Sequence, residues 1–378
     1  MRLAFFAPMK PPDHPVPSGD REMARNLIAA LGAGGAAVRL VSRLRLHDKE
    51  GSPIAQARIR AEARRETRRL IAELARDRPD AWVTYHSYYK APDLIGPAVC
   101  AALDLPYVQI EATRAKSRLN GPWAGFAAEA EAACDAACCI FYLTANDLIT
   151  LDRHRRPGQM LVHLRPFLPD RALPPASTGR GAMLTAGMMR PGDKLASYRI
   201  LAEALACLDR GETAQGASSD ASSPPPPDWR PDWRLEIAGD GPARDAVAAL
   251  MAPFGGRVRL LGQLDRAGLA AAYGRASLFL WPGVNEAYGM VYLEAQAAGL
   301  PVVAQDRPGM RDVLAQPGTA PEAGAPALAR RIARLLADPA LRRAEAARAR
   351  AHVARHHLAG AATETLIAGL ARALEMRR

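Results

Sequence analysis

Glu286 and Glu294 stand eight residues apart in a stretch that alternates apolar runs with a polar loop and an Ala-rich segment. Residues 277–281 read as a strand closed by Pro282-Gly283, residues 288–298 as a helix stopped by Gly299 and Pro301, and residues 300–304 as a second buried strand. Glu286 then falls in the loop after a strand, and Glu294 lies inside the helix that follows. A parallel sheet binds ligands outside the carboxyl ends of its strands, and the unpaired N–H groups and dipole of a helix start favour an anion there. Residues 285–289 sit at such a place. Glu294 lies among Leu293, Ala295, Ala297 and Ala298, where an ionised carboxylate is costly unless something donates hydrogen bonds to it. A ribose diol would supply two donors; a structural ion pair with Arg307 or Arg311 is the competing account.

The elements that position these groups alternate strand and helix along most of the chain. Residues 3–7 read as a strand, 8–19 as a Pro-rich loop ending in Ser18-Gly19-Asp20, 21–31 as a helix and 37–42 as the next strand. A helix over 54–76 leads to a strand at 81–85 and to the polar, aromatic loop His86-Ser87-Tyr88-Tyr89-Lys90. That loop is where a site belongs, although a lone histidine is as readily structural. A helix at 94–103, a strand at 107–110 and a loop beginning at Glu111 repeat the unit; a helix at 123–133 and strands at 137–143 and 161–164 follow. After a Pro- and Ser-rich linker at 170–180, a strand at 182–186 opens a second α/β domain. The loop from Gly187 carries Arg190 and Lys194 before a helix at 195–208. Residues 235–238 form a strand that turns at Gly239-Asp240-Gly241-Pro242 into a helix at 243–251, with Pro242 near its first turn. Residues 258–261 precede Gly262-Gln263-Leu264, and residues 325–336 and 341–378 read as amphipathic helix. Residues 212–232 are low in complexity, with four consecutive prolines, and cannot bury enough to fold.

A chain of 378 residues is long enough for two domains, and 49% apolar residues with few aromatics suits strands alternating with Ala-rich helices. The formal charge of +11 is carried mostly by arginines spread along helices, interleaved with Glu and Ala and without an aromatic platform, which argues against a nucleic-acid partner. Such a face is either simply solvated or weakly attracted to anionic lipid headgroups. Cys100, Cys134, Cys138, Cys139 and Cys207 lack metal-ligand spacing and read as buried reduced thiols. No apolar run reaches eighteen residues, and the N-terminal run breaks at Pro8, so a cytoplasmic protein is expected. The absence of Gly-x-Gly-x-x-Gly after the first strand argues against a nicotinamide dehydrogenase.

Glu286, the spacing to Glu294, then Glu-Ala-x-Ala-x-Gly-x-Pro-Val-Val and the Gly309 loop closely resemble the signature of family-4 retaining glycosyltransferases of the GT-B fold. The resemblance implies an α/β protein of two Rossmann-like domains with parallel sheets facing a central cleft. Residues 1–170 would form the acceptor domain and 171–358 the donor domain with the insertion at 212–232, while a final helix at 359–378 would pack back on the first domain. It implies that Glu286 contacts the donor sugar, that Glu294 holds the ribose, and that the backbone of Asn285, Ala287, Tyr288, Gly289 and Met290 meets sugar and phosphate. Arg190 and Lys194 would stabilise the departing diphosphate. Gly239 and Gly241 would lie near the nucleotide, Gln263 and Leu264 beside the base, Gly19 near diphosphate and acceptor, and His86 beside the reacting sugar. The implied reaction is metal-independent transfer from a UDP- or GDP-linked sugar, a co-substrate rather than a cofactor, to a hydroxyl of a glycan or lipid-linked acceptor, with peripheral contact at an anionic membrane.

Three departures favour a noncatalytic glycosyltransferase-like subunit instead. Only Gly19 of the usual glycine pair is present, Glu111 stands where relatives often have His, and Arg165-Pro-Phe-Leu-Pro169 replaces a Pro-Asn-Gly turn. A GT-B sugar-nucleotide epimerase or hydrolase would need an acid and base pair, which the sequence does not locate.

Overall fold

The computed structural model describes residues 1–16, 18–212 and 232–376. The low-complexity stretch read at 212–232 therefore lies, but for its two end residues, outside the described residues. Residues Met1–Arg165 and Ala359–Arg378 make one compact unit and Pro166–Leu358 a second.

The first unit is built on six parallel strands, β1 (Arg2–Phe6), β2 (Ala37–Leu40), β3 (Ala81–Ser87), β4 (Tyr107–Ala112), β5 (Cys139–Tyr142) and β6 (Met160–His163), in the order β2-β1-β3-β4-β5-β6. Helices α1 (Gly19–Ala33), α2 (Pro53–Leu74), α3 (Gly96–Leu103), α4 (Ala124–Ala136) and α5 (Ala145–Arg153) connect them. A strand covered by helices on both faces must be apolar throughout, and Leu3 to Phe6 and Ala81 to Val83 are buried accordingly. Ser18 caps α1, accepting from Arg21 N at 3.3 Å, so Gly19 is the first residue of a helix rather than part of the loop expected there. β3 and β4 run two residues further than their apolar patterns suggest, taking in His86 and Glu111, because Ser87 pairs with Ala112 beyond them.

The second unit has five parallel strands, β7 (Met183–Ala186), β8 (Leu235–Ala238), β9 (Val258–Gly262), β10 (Phe279–Leu280) and β11 (Val302–Val303), in the order β11-β10-β7-β8-β9. Its helices are α6 (Asp193–Arg210), α7 (Arg244–Met251), α8 (Arg266–Arg275), α9 (Met290–Ala297), α10 (Pro308–Arg311), α11 (Gly324–Ala337) and α12 (Pro339–His356). Helix α13 (Ala359–Glu375) belongs to the first unit, where Thr363 donates to Ala30 O at 3.1 Å and Gly369 lies against the Phe141 ring. The stretch read as amphipathic helix over residues 341–378, with a final helix expected at 359–378, is two helices separated at His357-Leu358. His357 is fully buried with Nδ1 2.6 Å from Pro166 O, and its carbonyl accepts from Leu168 N, interactions that a helix could not make while its carbonyl stayed in the ladder. Helices α5 and α8 have no counterpart in the sequence reading. Their cap residues Thr144 and Asp265, each accepting from a backbone N–H in the first turn, were the available signals. None of the five cysteines is in a disulfide; four are buried and Cys138 is half-buried.

The turns after β7 and β8 are stitched together through glycines. Gly239 has φ 147° and a Cβ there would lie 1.9 Å from Gly187 O; Gly241, also at φ 147°, would meet Met189 O at 2.4 Å. Gly239→Ala should therefore destabilise the second unit by about 1–3 kcal/mol from backbone strain, with the clash in addition. Gly274→Ala, where nothing lies within 4 Å in helix α8, should leave stability unchanged or slightly raised. Urea unfolding of the two variants measures the difference.

Candidate functional site

In the second unit the strand order reverses between β7 and β10, and ligands of such sheets bind at that reversal, outside the carboxyl ends of the strands. The loops after both strands meet there. Lys194 lies in the first turn of α6, not in the preceding loop, because Gly192 turns the chain at φ 82° and Asp193 already begins the helix, where an acidic side chain suits the dipole. Its ammonium is ion-paired with Glu286, from the loop after β10. Trp281 Nε1, at the end of β10, donates to the same Glu286 oxygen at 2.8 Å, and Lys194 Nζ lies 5.5 Å from the centre of the Trp281 ring. The Glu286 side chain is 13% exposed, so an unbalanced charge there would be costly.

The loop carrying Glu286 is tied down at several points. Asn285, at φ 52°, donates through Nδ2 to Asp193 Oδ2 at 2.8 Å, and Val284 N donates to Ser197 Oγ at 3.0 Å. Gly309 approaches Ala287 so closely that a Cβ would lie 1.9 Å from its carbonyl oxygen. Gly289, at φ 55°, precedes α9, where Met290 is the first residue; a Cβ on Gly289 would lie 2.6 Å from the Tyr292 ring. Ala287 is exposed, and Tyr288 is half-buried.

Glu294, in the second turn of α9, accepts from Tyr273 Oη at 3.0 Å. Burial raises its pKa, the Tyr273 hydroxyl and Arg266 oppose the rise, and Asp170 adds to it. Neither arginine named by the competing account reaches it: Arg307 binds Gln305 Oε1 at 2.7 Å and Arg311 binds Asp306. Gly239 and Gly241 line the adjoining turn after β8, and beyond β9 Gln263 is exposed and Leu264 half-buried. Arg190 is exposed on the loop before α6, with no ion pair among the described residues. Trp281, Tyr273, Asp193 and Ser197 are site residues that sequence reasoning missed; a tryptophan at a strand end beside Pro-Gly was the one local signal.

His86 and Gly19 lie in the first unit. There the strand order reverses between β1 and β3, and His86 Nδ1 at the end of β3 comes within 3.0 Å of Asp20 Oδ1 in the first turn of α1. His86 has φ 59° and Glu111, across the ladder on β4, has φ 57°, left-handed conformations rare outside glycine. Burial acts to lower the His86 pKa, but Glu111, Asp20 and Asp147 outweigh it and the pKa is raised. The Glu111 pKa is raised by burial, and that of Asp20 is lowered by His86. Among the described residues no group of three or more His, Cys, Asp or Glu could hold a metal ion.

A family model described as glycosyl transferases group 1 matches residues 226–338. Over 134 residues the chain is 35% identical to a phosphatidyl-myo-inositol mannosyltransferase of Mycobacterium tuberculosis, covering 33% of this chain and 35% of the relative. It is 37% identical over 86 residues to a GDP-mannose-dependent alpha-mannosyltransferase of Mycolicibacterium smegmatis, covering 23% of this chain and 22% of that one. The matches thus span about a third or less of these relatives. Among solved structures, HepE of Anabaena in complex with UDP has a TM-score of 0.67 at 14% identity, covering 98% of this chain and 100% of that one. Sucrose-phosphate synthase of Thermosynechococcus elongatus has a TM-score of 0.65 at 19% identity, covering 99% of each.

Proposed function

We propose that this chain, which matches the group 1 glycosyl transferase model over residues 226–338 and shares its two-domain fold with the solved structures above, moves a sugar from a UDP- or GDP-linked donor to an acceptor hydroxyl with retention of anomeric configuration. The observation that carries the reading is the Lys194–Glu286 pair at the strand-order reversal of the second unit, with Glu294 on the helix that starts there. In this reading Glu286 accepts from the sugar hydroxyls, Glu294 from the ribose, and the base lies along Gly262-Gln263-Leu264. The diphosphate meets Lys194, Arg190 and the N-terminus of α9. As the bond from the anomeric carbon to the diphosphate breaks, negative charge grows on the leaving oxygen, and preorganised donors aimed there act more strongly on the transition state than on the bound donor. His86 serves the acceptor side, and the acceptor is a glycan or lipid-linked hydroxyl.

Incubation with a panel of UDP- and GDP-sugars tests this. Acceptor-dependent release of free nucleotide is the expected outcome, with the anomer of the product reporting retention. Tight nucleotide binding without turnover against any acceptor would instead favour a noncatalytic subunit.

A peripheral membrane contact is part of the proposal. Helix α2 presents Arg58, Arg64, Arg65 and Arg68 on an exposed face, and Ile54 at its start is 84% exposed. No helix among the described residues is long and apolar enough to cross a membrane. Anionic liposomes should bind the protein at low salt with about 1 kcal/mol per arginine reaching the surface, and binding should fade at physiological salt, where the Debye length is about 8 Å. Cosedimentation with anionic and neutral liposomes measures it; equal binding to both would remove the membrane contact.

A further inference from the structure

In each unit an ionic pair spans the strand-order reversal at the carboxyl ends of the strands: Lys194–Glu286 in the second and Asp20–His86 in the first. The first of these belongs to the proposed donor site. The second is unassigned. Asp20 is held in the first turn of α1 beneath the Ser18 cap, where the helix dipole favours its ionised form. His86 is held from several sides. Its backbone is left-handed, the Tyr88 and Tyr85 rings lie 5.0 Å and 5.7 Å from the imidazole, and its side chain is 19% exposed. A residue kept in so unfavourable a backbone conformation at a ligand-binding position of the sheet is a functional candidate.

The charges around the imidazole come from four elements. Asp20 is on α1, Glu111 on β4, Asp147 in the first turn of α5, and Lys10 on the loop after β1 acts on Asp20. Three carboxylates against one lysine favour a proton on the ring, and Asp20 Oδ1 is the oxygen within ion-pair distance of it. We propose that Asp20 is a positioning residue for His86: its carboxylate, at ion-pair distance from Nδ1 without an aligned hydrogen bond, holds the ring as the imidazolium and leaves Nε2–H as the donor offered to the second substrate. The proposal rests on the reading that His86 serves the transfer.

The test is Asp20→Asn in the full chain, with two readouts. In NMR titration the His86 ring signal, identified by its loss in His86→Gln, should titrate above the ordinary imidazole value in the wild type and about one pH unit lower in the variant. The alkaline limb of kcat/KM should move in the same direction, and Asp20→Glu should restore both. The idea is overturned if wild-type His86 titrates at or below the ordinary value, or if folded Asp20→Asn leaves both the titration and the pH profile unmoved. Should no nucleotide-sugar be turned over, the reaction assigned to the chain fails, while the ring titration still decides whether Asp20 governs His86.

Discussion

Lys194→Ala is expected to lower turnover by roughly 10²–10³ while donor affinity falls less, because removing one preorganised donor from a site of developing charge has that effect elsewhere. The structure adds a condition. Lys194 is ion-paired with Glu286 and lies over the Trp281 ring, so its removal leaves a carboxylate that still accepts from Trp281 Nε1 but has lost its cationic partner. That uncompensated charge would repel the diphosphate as well as fail to stabilise it. Glu286→Gln in the same background should therefore recover part of the loss, and the pair should be non-additive by about 0.5–3 kcal/mol. Arg190→Ala should also lower turnover, and its coupling to Lys194 should run through the anion that both would face. A change of less than about twofold in Lys194→Ala would mean a solvated surface pair. Steady-state rates and donor affinities of the single and double variants supply the measurement.

Glu294→Gln is expected to weaken nucleotide binding by about 1.5–3 kcal/mol, the value of a hydrogen bond to a charged acceptor, or roughly a 10- to 100-fold rise in Kd. The amide keeps the shape of the carboxyl group and does not have to be ionised in a buried place, so the fold should persist. Glu294 also makes binding depend on pH. Burial raises its pKa in the free protein, with Tyr273 only partly opposing that, and ribose hydroxyls donating to the carboxylate would lower it again. The complex then binds fewer protons than the free protein, so affinity should rise with pH through the raised pKa and be lost below it. In Glu294→Gln that dependence should vanish. Isothermal titration of nucleotide at several pH values shows whether it does; an unfolded variant whose folded fraction binds normally would make Glu294 a structural residue.

The alternation of strand and helix was legible because its signals are local: apolar strand runs, Gly and Pro stops, and cap residues. The Glu286 to Glu294 spacing was legible for the same reason. What joins the site was not. Lys194 and Glu286 come from opposite sides of a strand-order reversal, and Tyr273 reaches Glu294 from another helix. Asp20 read as the end of the loop before a helix, and only the neighbouring end of β3 turns it into a partner for His86. His86 and Glu111 read as loop residues because two polar side chains interrupt the apolar run, whereas backbone pairing carries both strands past them. The helical pattern of residues 341–378 runs through His357, so the boundary before the final helix came from the resemblance and not from the pattern; the interruption itself comes from Pro166 and Leu168, far away in sequence.

The strand-order reversal of the second unit should bind the nucleotide of a sugar donor. UDP and GDP titrated into the wild-type protein, followed through tryptophan fluorescence and by calorimetry, test it most directly, since Trp281 donates to Glu286 at the centre of that site. Saturable binding of at least one of the two is expected, with a fluorescence change lost in Trp281→Phe and weaker binding in Glu294→Gln. No binding of either nucleotide at millimolar concentration, or binding that Glu294→Gln and Lys194→Ala leave unchanged, would contradict it.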